Sequence, residues 1–114
     1  MQNNRKKGNI AEIMAIDFLI NNGYSIINKN YQKQTGEIDI IAKKDTYIFF
    51  IEVKYRKNIN KGYPREAVSL KKQEKIKSTA LYYIEENNLN NVDFCFDVIE
   101  ILGNNITHIQ NAFY

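Results

Sequence analysis

The stretch of residues 36–54 reads GEIDIIAKKDTYIFFIEVK and decides the fold. Its two halves, 37–42 and 47–55, are rich in Ile, Val, Phe and Tyr, the residue types that strands favour. Residues 43–46 between them are few enough to form a hairpin turn. We therefore predict two antiparallel strands joined by a hairpin.

A turn centred between Asp45 and Thr46 pairs residues whose numbers sum to 91. Because side chains alternate along a strand, the pairing predicts the two faces of the hairpin. One face is apolar and belongs to the core, with the pairs Ile38–Val53, Ile40–Ile51 and Ala42–Phe49. The other face carries the pairs Glu37–Lys54, Asp39–Glu52 and Ile41–Phe50.

The opposed carboxylates of Asp39 and Glu52 predict a cation site. Carboxylates directly opposite each other repel and weaken a sheet, so the pair needs positive charge nearby. Lys54 supplies one charge. A divalent ion would supply the rest, and hard oxygen ligands select Mg²⁺ or Mn²⁺. The alternative is a solvated polar face with ordinary cross-strand ion pairs.

Two predicted helices each place a charged residue in an apolar stripe. In the helix at 9–22, Glu12 falls near the middle of the arc of Ala11, Ile13, Ala15, Ile16, Phe18, Leu19 and Ile20. A carboxylate there faces the interior and needs a cation, unless the helix is less buried than its pattern suggests. In the helix at 65–87, Lys72 lies inside the apolar stripe, either within reach of the carboxylates or of a phosphate, or snorkelling to solvent.

The remaining elements complete the predicted fold. We expect a weak strand at 24–31, a loop at 58–64, a strand at 92–102 and a short last strand at 106–109. The order of one helix, three strands, one helix and one or two strands predicts an α/β fold with a mixed sheet flanked by helices. A length of 114 residues predicts a single domain spanning 1–114.

Basic residues cluster beside the elements that carry the candidate site. The net charge of +3 is modest, so their position matters more than their number. Such a basic rim suits contacts with nucleic-acid phosphates, although any single cluster is compatible with a solvated face. The clusters are Arg5, Lys6 and Lys7, then Arg56, Lys57 and Lys61, then Lys71 and Lys75.

Composition argues against several other classes of protein. With one cysteine, Cys95, and one histidine, a zinc site of the Cys/His type is nearly excluded. Cys95 lies in an apolar run and is expected to be buried and inert. No apolar run approaches the roughly 18–20 residues of a membrane span. We expect a cytoplasmic protein without membrane contact.

The spacing of Asp39 from Glu52-Val53-Lys54 resembles the PD-(D/E)XK nuclease signature. A wider set of residues resembles the uncharacterised bacterial YraN-like family: Glu12, Gly23-Tyr24, Asn30-Tyr31, Gly36-Glu37-Ile38-Asp39, Phe50 to Lys54, Lys72-Gln73 and Phe96-Asp97-Val98. Three positions depart from the expected pattern: Ile38 stands at the signature's proline, Ala11 at a glycine, and Cys95 at a basic residue.

The resemblance implies a restriction-endonuclease-like αβββαβ core, similar to archaeal Holliday-junction resolvases. It implies that Asp39 and Glu52 bind metal, with Glu12 contributing directly or through water. Lys54 would orient or activate the attacking water, and Glu37 and Lys72 would support the site. The implied activity is Mg²⁺- or Mn²⁺-dependent endonucleolytic cleavage of DNA, on branched or damaged structures.

Two other classes of function compete with the nuclease. One is a nucleic-acid-binding module that keeps the fold without turnover, since fold does not fix activity. The other is an accessory protein that docks on another protein through its aromatic surface. A nuclease of this size presents one site per chain, so cutting both strands of a duplex would require a homodimer.

Overall fold

The computed structural model describes residues 2–56 and 68–113, with side chains from residue 9 onward in the first helix. The elements are α1 (Gln2–Asn21), β1 (Ser25–Lys33), β2 (Gly36–Lys44), β3 (Tyr47–Arg56), α2 (Leu70–Glu86), β4 (Asp93–Leu102) and β5 (Asn105–Phe113). No helix among the described residues is long and apolar enough to cross a membrane.

The five strands form one mixed sheet in the order β1-β2-β3-β4-β5. Neighbouring strands are antiparallel except β3 and β4, which run parallel. A parallel pair needs a crossover connection, and α2 lies within it. The α/β fold predicted from the sequence, a mixed sheet with flanking helices, is confirmed.

Element bounds differ from the prediction at both ends of the chain. α1 begins at Gln2 rather than at residue 9, and β5 extends to Phe113 rather than stopping at residue 109. α2 begins at Leu70 after the N-cap Ser69, whose hydroxyl accepts a hydrogen bond from the Lys72 backbone N–H at 3.2 Å. The start predicted at residue 65 lies outside the described residues.

The two helices cover opposite faces of the sheet. α1 packs a stripe of Ala11, Ala15 and Leu19 against a cluster that includes Ile40 and Ile51. α2 packs on a second cluster, whose buried members include Ile38, Ile41, Phe50, Ile76, Ala80 and Tyr83. The sheet is therefore buried on both faces, as expected where a parallel pair lies within it.

The predicted apolar arc of α1 was too broad. Ile13 and Ile20 are 58% and 53% exposed. At 3.6 residues per turn, both lie about 180–200° around the helix from Ala11, so they face away from the sheet. The narrow stripe of small residues, rather than the Ile residues, brings α1 onto the sheet.

The predicted hairpin register is confirmed for the pairs near the turn and wrong for the pairs farther from it. Ile40 pairs with Ile51, Ile41 with Phe50 and Ala42 with Phe49, as predicted. On the side away from the turn, the ladder ends at the pair Ile40–Ile51. The predicted pairs Ile38–Val53, Asp39–Glu52 and Glu37–Lys54 are therefore not part of it. Ile38 packs with Ile41 and Phe50, on the face opposite to Ile40.

Candidate functional site

Strands β2 and β3 separate at Asp39. The Val53 N–H donates to Asp39 Oδ2 at 2.9 Å, so a side chain takes the place of a backbone carbonyl. The ladder between β1 and β2 is interrupted at the same level: Lys29 pairs with Ile40 and Tyr31 with Ile38, and Asn30 and Asp39 are skipped. This irregularity explains why Ile38 and Ile40 face opposite sides. It also opens the sheet where the predicted carboxylates lie.

The side chains of Asp39 and Glu52 meet at this opening through a hydrogen bond between their carboxyl groups. Burial, followed by the hydrogen bond and the charge of Glu52, raises the pKa of Asp39 to about 9; the Val53 N–H acts in the opposite direction. Asp39 therefore keeps its proton at neutral pH in the metal-free protein. The predicted opposition of Asp39 and Glu52 is present in space, although not as a ladder pair.

Glu12 approaches the carboxyl pair from α1. Its side chain is half-buried, and burial raises its pKa, as do the charges of Glu37 and Glu52. A hydrogen bond from the Asn30 side chain and the charge of Lys29 lower it. Asn30 takes a φ of 52°, a left-handed conformation that Asn tolerates better than most residues.

Lys72 approaches the pair from the other face of the sheet. Its Nζ lies 3.3 Å from Glu52 Oε2, while Glu52 is only 6% exposed. That oxygen accepts no well-formed hydrogen bond among the described residues, so Lys72 holds it by charge alone. A buried carboxylate oxygen in this state is available to a cation.

Lys54 follows Glu52 on the same face of β3 and is half-buried. Its Cα partner on β4 is Glu100, which is 5% exposed. The sequence prediction did not include Glu100 in the site. A signal was present, because an acid inside the apolar run Val98-Ile99-Glu100-Ile101 indicates a buried charge with a partner.

The donor set fits a hard divalent ion. Among residues 2–56 and 68–113, no three His, Cys, Asp or Glu side chains gather closely enough to hold a metal by themselves. Mg²⁺ is commonly bound through one or two carboxylates, with waters and substrate phosphates completing its shell. The oxygen pair of Asp39 and Glu52, with the under-bonded Glu52 Oε2, suits that arrangement.

The other predicted site residues are placed as follows. Glu37 is exposed and lies near Glu12 rather than opposite Lys54. Arg56 ends β3 and is half-buried, whereas Lys71 and Lys75 are exposed on α2. Lys57, Lys61 and the side chains of Arg5, Lys6 and Lys7 lie outside the described part of the chain.

Asp97 and His108 form a second buried polar pair, away from the opening. His108 Nε2 lies 2.7 Å from Asp97 Oδ2, and the Asn111 N–H donates to Asp97 Oδ1 at 3.0 Å. The pair ties β4 to β5 at a register shift, so these contacts give Asp97 a structural role. Cys95 is half-buried, and burial raises the pKa of its thiol, which agrees with an inert group.

Comparison with known proteins places the chain in a family. The model of the uncharacterised protein family UPF0102 matches residues 11–101, a range that holds Glu12, Asp39, Glu52, Lys54 and Lys72. A UPF0102 protein of Clostridioides difficile (strain 630) is 52% identical over 113 residues, covering 97% of this chain and 99% of the relative.

Two further relatives also match this chain over almost its whole length. A UPF0102 protein of Sulfurihydrogenibium sp. (strain YO3AOP1) is 48% identical over 108 residues, covering 95% of this chain and 94% of the relative. One from Lachnoclostridium phytofermentans is 43% identical over 112 residues, covering 97% and 95%. The predicted relationship to the YraN-like family is confirmed, and the chain belongs to the uncharacterised protein family UPF0102.

Proposed function

We propose that the protein is a Mg²⁺- or Mn²⁺-dependent endonuclease of the PD-(D/E)XK type that hydrolyses phosphodiester bonds in DNA. One observation carries the proposal: the side chains of Asp39 and Glu52 meet in an opening between β2 and β3, with Lys54 on the same strand as Glu52. A protein that only needed stability would not place two hydrogen-bonded acids there, since burying them costs free energy.

Asp39 and Glu52 would hold the ion, and release of the Asp39 proton would make room for its charge. Bound there, the ion would activate water and offset charge on the phosphate. Glu12 is close enough to influence both acids electrostatically and would contribute a further oxygen directly or through water.

Two lysines have separate tasks in this proposal. Lys54, beside Glu52 on β3, would orient the attacking water and stabilise the negative charge that develops on the phosphate. Lys72 would hold the Glu52 carboxylate in place through its 3.3 Å contact. Arg56 and the exposed Lys71 and Lys75, together with the basic residues outside the described ranges, would contact the DNA backbone.

A non-catalytic nucleic-acid-binding module is the second candidate. The observation that favours it is that only two carboxylates converge closely among the described residues, and one of them already contacts Lys72. Such a protein would bind DNA without cutting it. The same experiment separates the two functions.

The test is cleavage of labelled single-stranded, duplex and four-way-junction DNA with Mg²⁺ or Mn²⁺. We expect the wild type to cut at least one substrate, and Asp39→Ala and Lys54→Ala to lose about 10²-fold or more in rate, as removal of a group acting in the transition state does. Asp17→Ala and Lys43→Ala are matched controls, because both residues are exposed away from the opening.

The controls should cut like the wild type. Equal cleavage by Asp39→Ala and the wild type would show that the activity comes from elsewhere. Binding without cleavage of any substrate would leave the binding module as the function.

A further inference from the structure

A cavity of about 520 Å³ lies on the α2 face of the sheet, beside the candidate site. It opens between the start of α2 and strands β4 and β5. Its volume is typical of pockets for small organic groups, which span about 300–1,000 Å³. Its described lining comprises Val68 before α2, Gln73 on α2, Val98 on β4, and Thr107, His108, Ile109 and Ala112 on β5.

The cavity adjoins the carboxyl pair. Val98 is the Cα partner of Glu52, so the cavity begins one strand away, at a spacing of about 4.8 Å between strands. Gln73 follows Lys72, whose Nζ contacts Glu52 Oε2 at 3.3 Å. Two residues further along β4, Glu100 pairs with Lys54 of β3 on one side and with Thr107 of β5 on the other. A phosphate at the carboxyl pair would therefore have its neighbouring sugar and base within reach of the cavity.

The lining chemistry selects an uncharged ligand. Among the lining residues that the structure describes there is no Lys, Arg, Asp or Glu, and His108 Nε2 already lies 2.7 Å from Asp97 Oδ2. Aliphatic walls from Val68, Val98 and Ile109 would contact apolar faces, while the Gln73 amide and Thr107 hydroxyl offer hydrogen bonds to a polar edge. A nucleobase has apolar faces and a polar edge, whereas a phosphate would find no Lys or Arg among the described lining residues.

We propose that this cavity receives one unpaired nucleobase adjacent to the phosphate held at Asp39 and Glu52. The inference rests on the proposed nuclease function and narrows its substrate. A base inside a duplex cannot enter such a cavity without leaving its stack, so the substrate class is DNA with an unpaired or readily extruded nucleotide next to the scissile bond.

The test compares the binding of intact and abasic DNA. Single-stranded and branched oligonucleotides carrying one abasic nucleotide, moved stepwise along the strand, are bound to the full chain in Ca²⁺. For the wild type we expect affinity to fall by about tenfold when the abasic position matches the cavity, since one base contact contributes roughly that much.

Ala112→Phe fills the cavity from an exposed position, and Thr107→Phe does so from a second exposed position. Both should bind intact DNA about tenfold more weakly than the wild type, and abasic DNA equally well. Asn105→Phe adds the same ring at an exposed position of β5 outside the cavity and should bind both DNAs like the wild type.

Wild-type affinity of both filling variants for intact DNA, or an equal loss with intact and abasic DNA, would overturn the cavity proposal while leaving the nuclease proposal intact. Tighter binding of intact duplex than of any unpaired substrate would overturn it as well. A wild type that neither binds nor cuts DNA would overturn the proposed function, and the cavity proposal with it.

Discussion

Asp39 shapes the sheet as well as the candidate site. Its carboxylate accepts the Val53 N–H that a strand carbonyl would otherwise accept, and this contact opens the sheet at the place where the Asp39 and Glu52 carboxyls meet. The sequence predicts which acids come together because hairpin register is arithmetic. It does not predict the opening, because strict alternation assumes an unbroken ladder.

The raised pKa of Asp39 makes stability depend on pH in the metal-free protein. The folded-state pKa of Asp39, about 9, lies above the ordinary value of 3.8. Between these values the folded protein keeps a proton that the unfolded chain has lost, so the free energy of unfolding falls as pH rises through this window. Glu52, Glu12 and the Val53 N–H all face the group and shape the effect.

Asp39→Asn should remove most of this dependence, because an amide mimics the protonated acid. Urea unfolding in EDTA should show a variant close to the wild type near pH 5 and more stable by about 4 kcal/mol near pH 8, since each pH unit in this window changes the free energy of unfolding by about 1.4 kcal/mol. Asp17→Asn makes the same charge change on an exposed surface of α1 and should follow the wild type. A wild-type pH slope in Asp39→Asn would contradict the raised pKa of Asp39.

Other residues of the site were predictable to different degrees. The approach of Lys72 to the carboxylates follows from helical periodicity, and the structure places its amine on Glu52. The hydrogen bond between Asn30 and Glu12 could not be predicted from the sequence, because it depends on the left-handed backbone conformation of Asn30 within β1. Glu100 was overlooked because strand pairing across a crossover cannot be counted along the chain as a hairpin can.

At the scale of elements, the turn between β1 and β2 is docked directly onto α2. The hydroxyls of Thr35 and Thr79 lie 2.7 Å apart, and Thr79 donates to the Lys75 carbonyl at 2.8 Å. Gly36 lies in this contact with a φ of 152°. A Cβ there would meet Thr79 Oγ1 at 3.3 Å and Lys75 Cβ at 3.4 Å, so both conformation and space favour glycine.

Gly36→Ala should lower the free energy of unfolding by about 1–3 kcal/mol through strain and crowding together. Gly23→Ala is the matched comparison. Gly23 ends α1 with a φ of 90°, but its added Cβ would meet only Lys44 Cε at 3.6 Å, an ordinary contact. Denaturant unfolding of the two variants should show the larger loss for Gly36→Ala. An equal or smaller loss would mean that the close approach to α2 contributes nothing.

Element existence was predicted better than element length. The two hairpin strands and α2 have strong periodicity, and their type was correct. β5 was cut short because Gln110, Asn111 and Ala112 lack strand character, and its extension rests on tertiary contacts, among them the Asn111 N–H bonded to buried Asp97. The sequence prediction started α1 too late because the polar residues before residue 9 show no apolar periodicity.

At the scale of the whole molecule, the site draws on both helical layers. Glu12 comes from α1 on one face and Lys72 from α2 on the other, with Asp39 and Glu52 in the sheet between them. The mixed sheet was predictable from element order, whereas this convergence was not, because it depends on the opening at Asp39. A single domain, a homodimer and cytoplasmic location stay predictions.

Ion binding at the opening should stabilise the entire fold. At about tenfold over its dissociation constant, Mn²⁺ would add about 1.4 kcal/mol, which for a chain of this size raises Tm by about 5 °C. The shift should be larger near pH 8 than near pH 5, since the carboxyl pair must lose its proton to bind. Thermal unfolding with and without Mn²⁺ at matched ionic strength measures it.

Glu52→Gln should abolish the Mn²⁺ shift, and Glu74→Gln, an exposed change on α2, should preserve it. A shift of equal size in Glu52→Gln would place the ion elsewhere. No shift in the wild type at any pH would show that the free protein does not hold the ion at this opening.

The parallel pairing of β3 with β4 also bears on how the chain is made on the ribosome. β3 cannot pair with β4 until residues 93–102 have been synthesised, some forty positions later, and β5 must then follow to pair with the outer edge of β4. During that interval the nascent chain has the acids of the site but only part of the sheet that holds them in place. The proposed nuclease would be inactive until its last strands emerge, so we expect a truncated translation product to carry Asp39 and Glu52 without the ability to cut DNA.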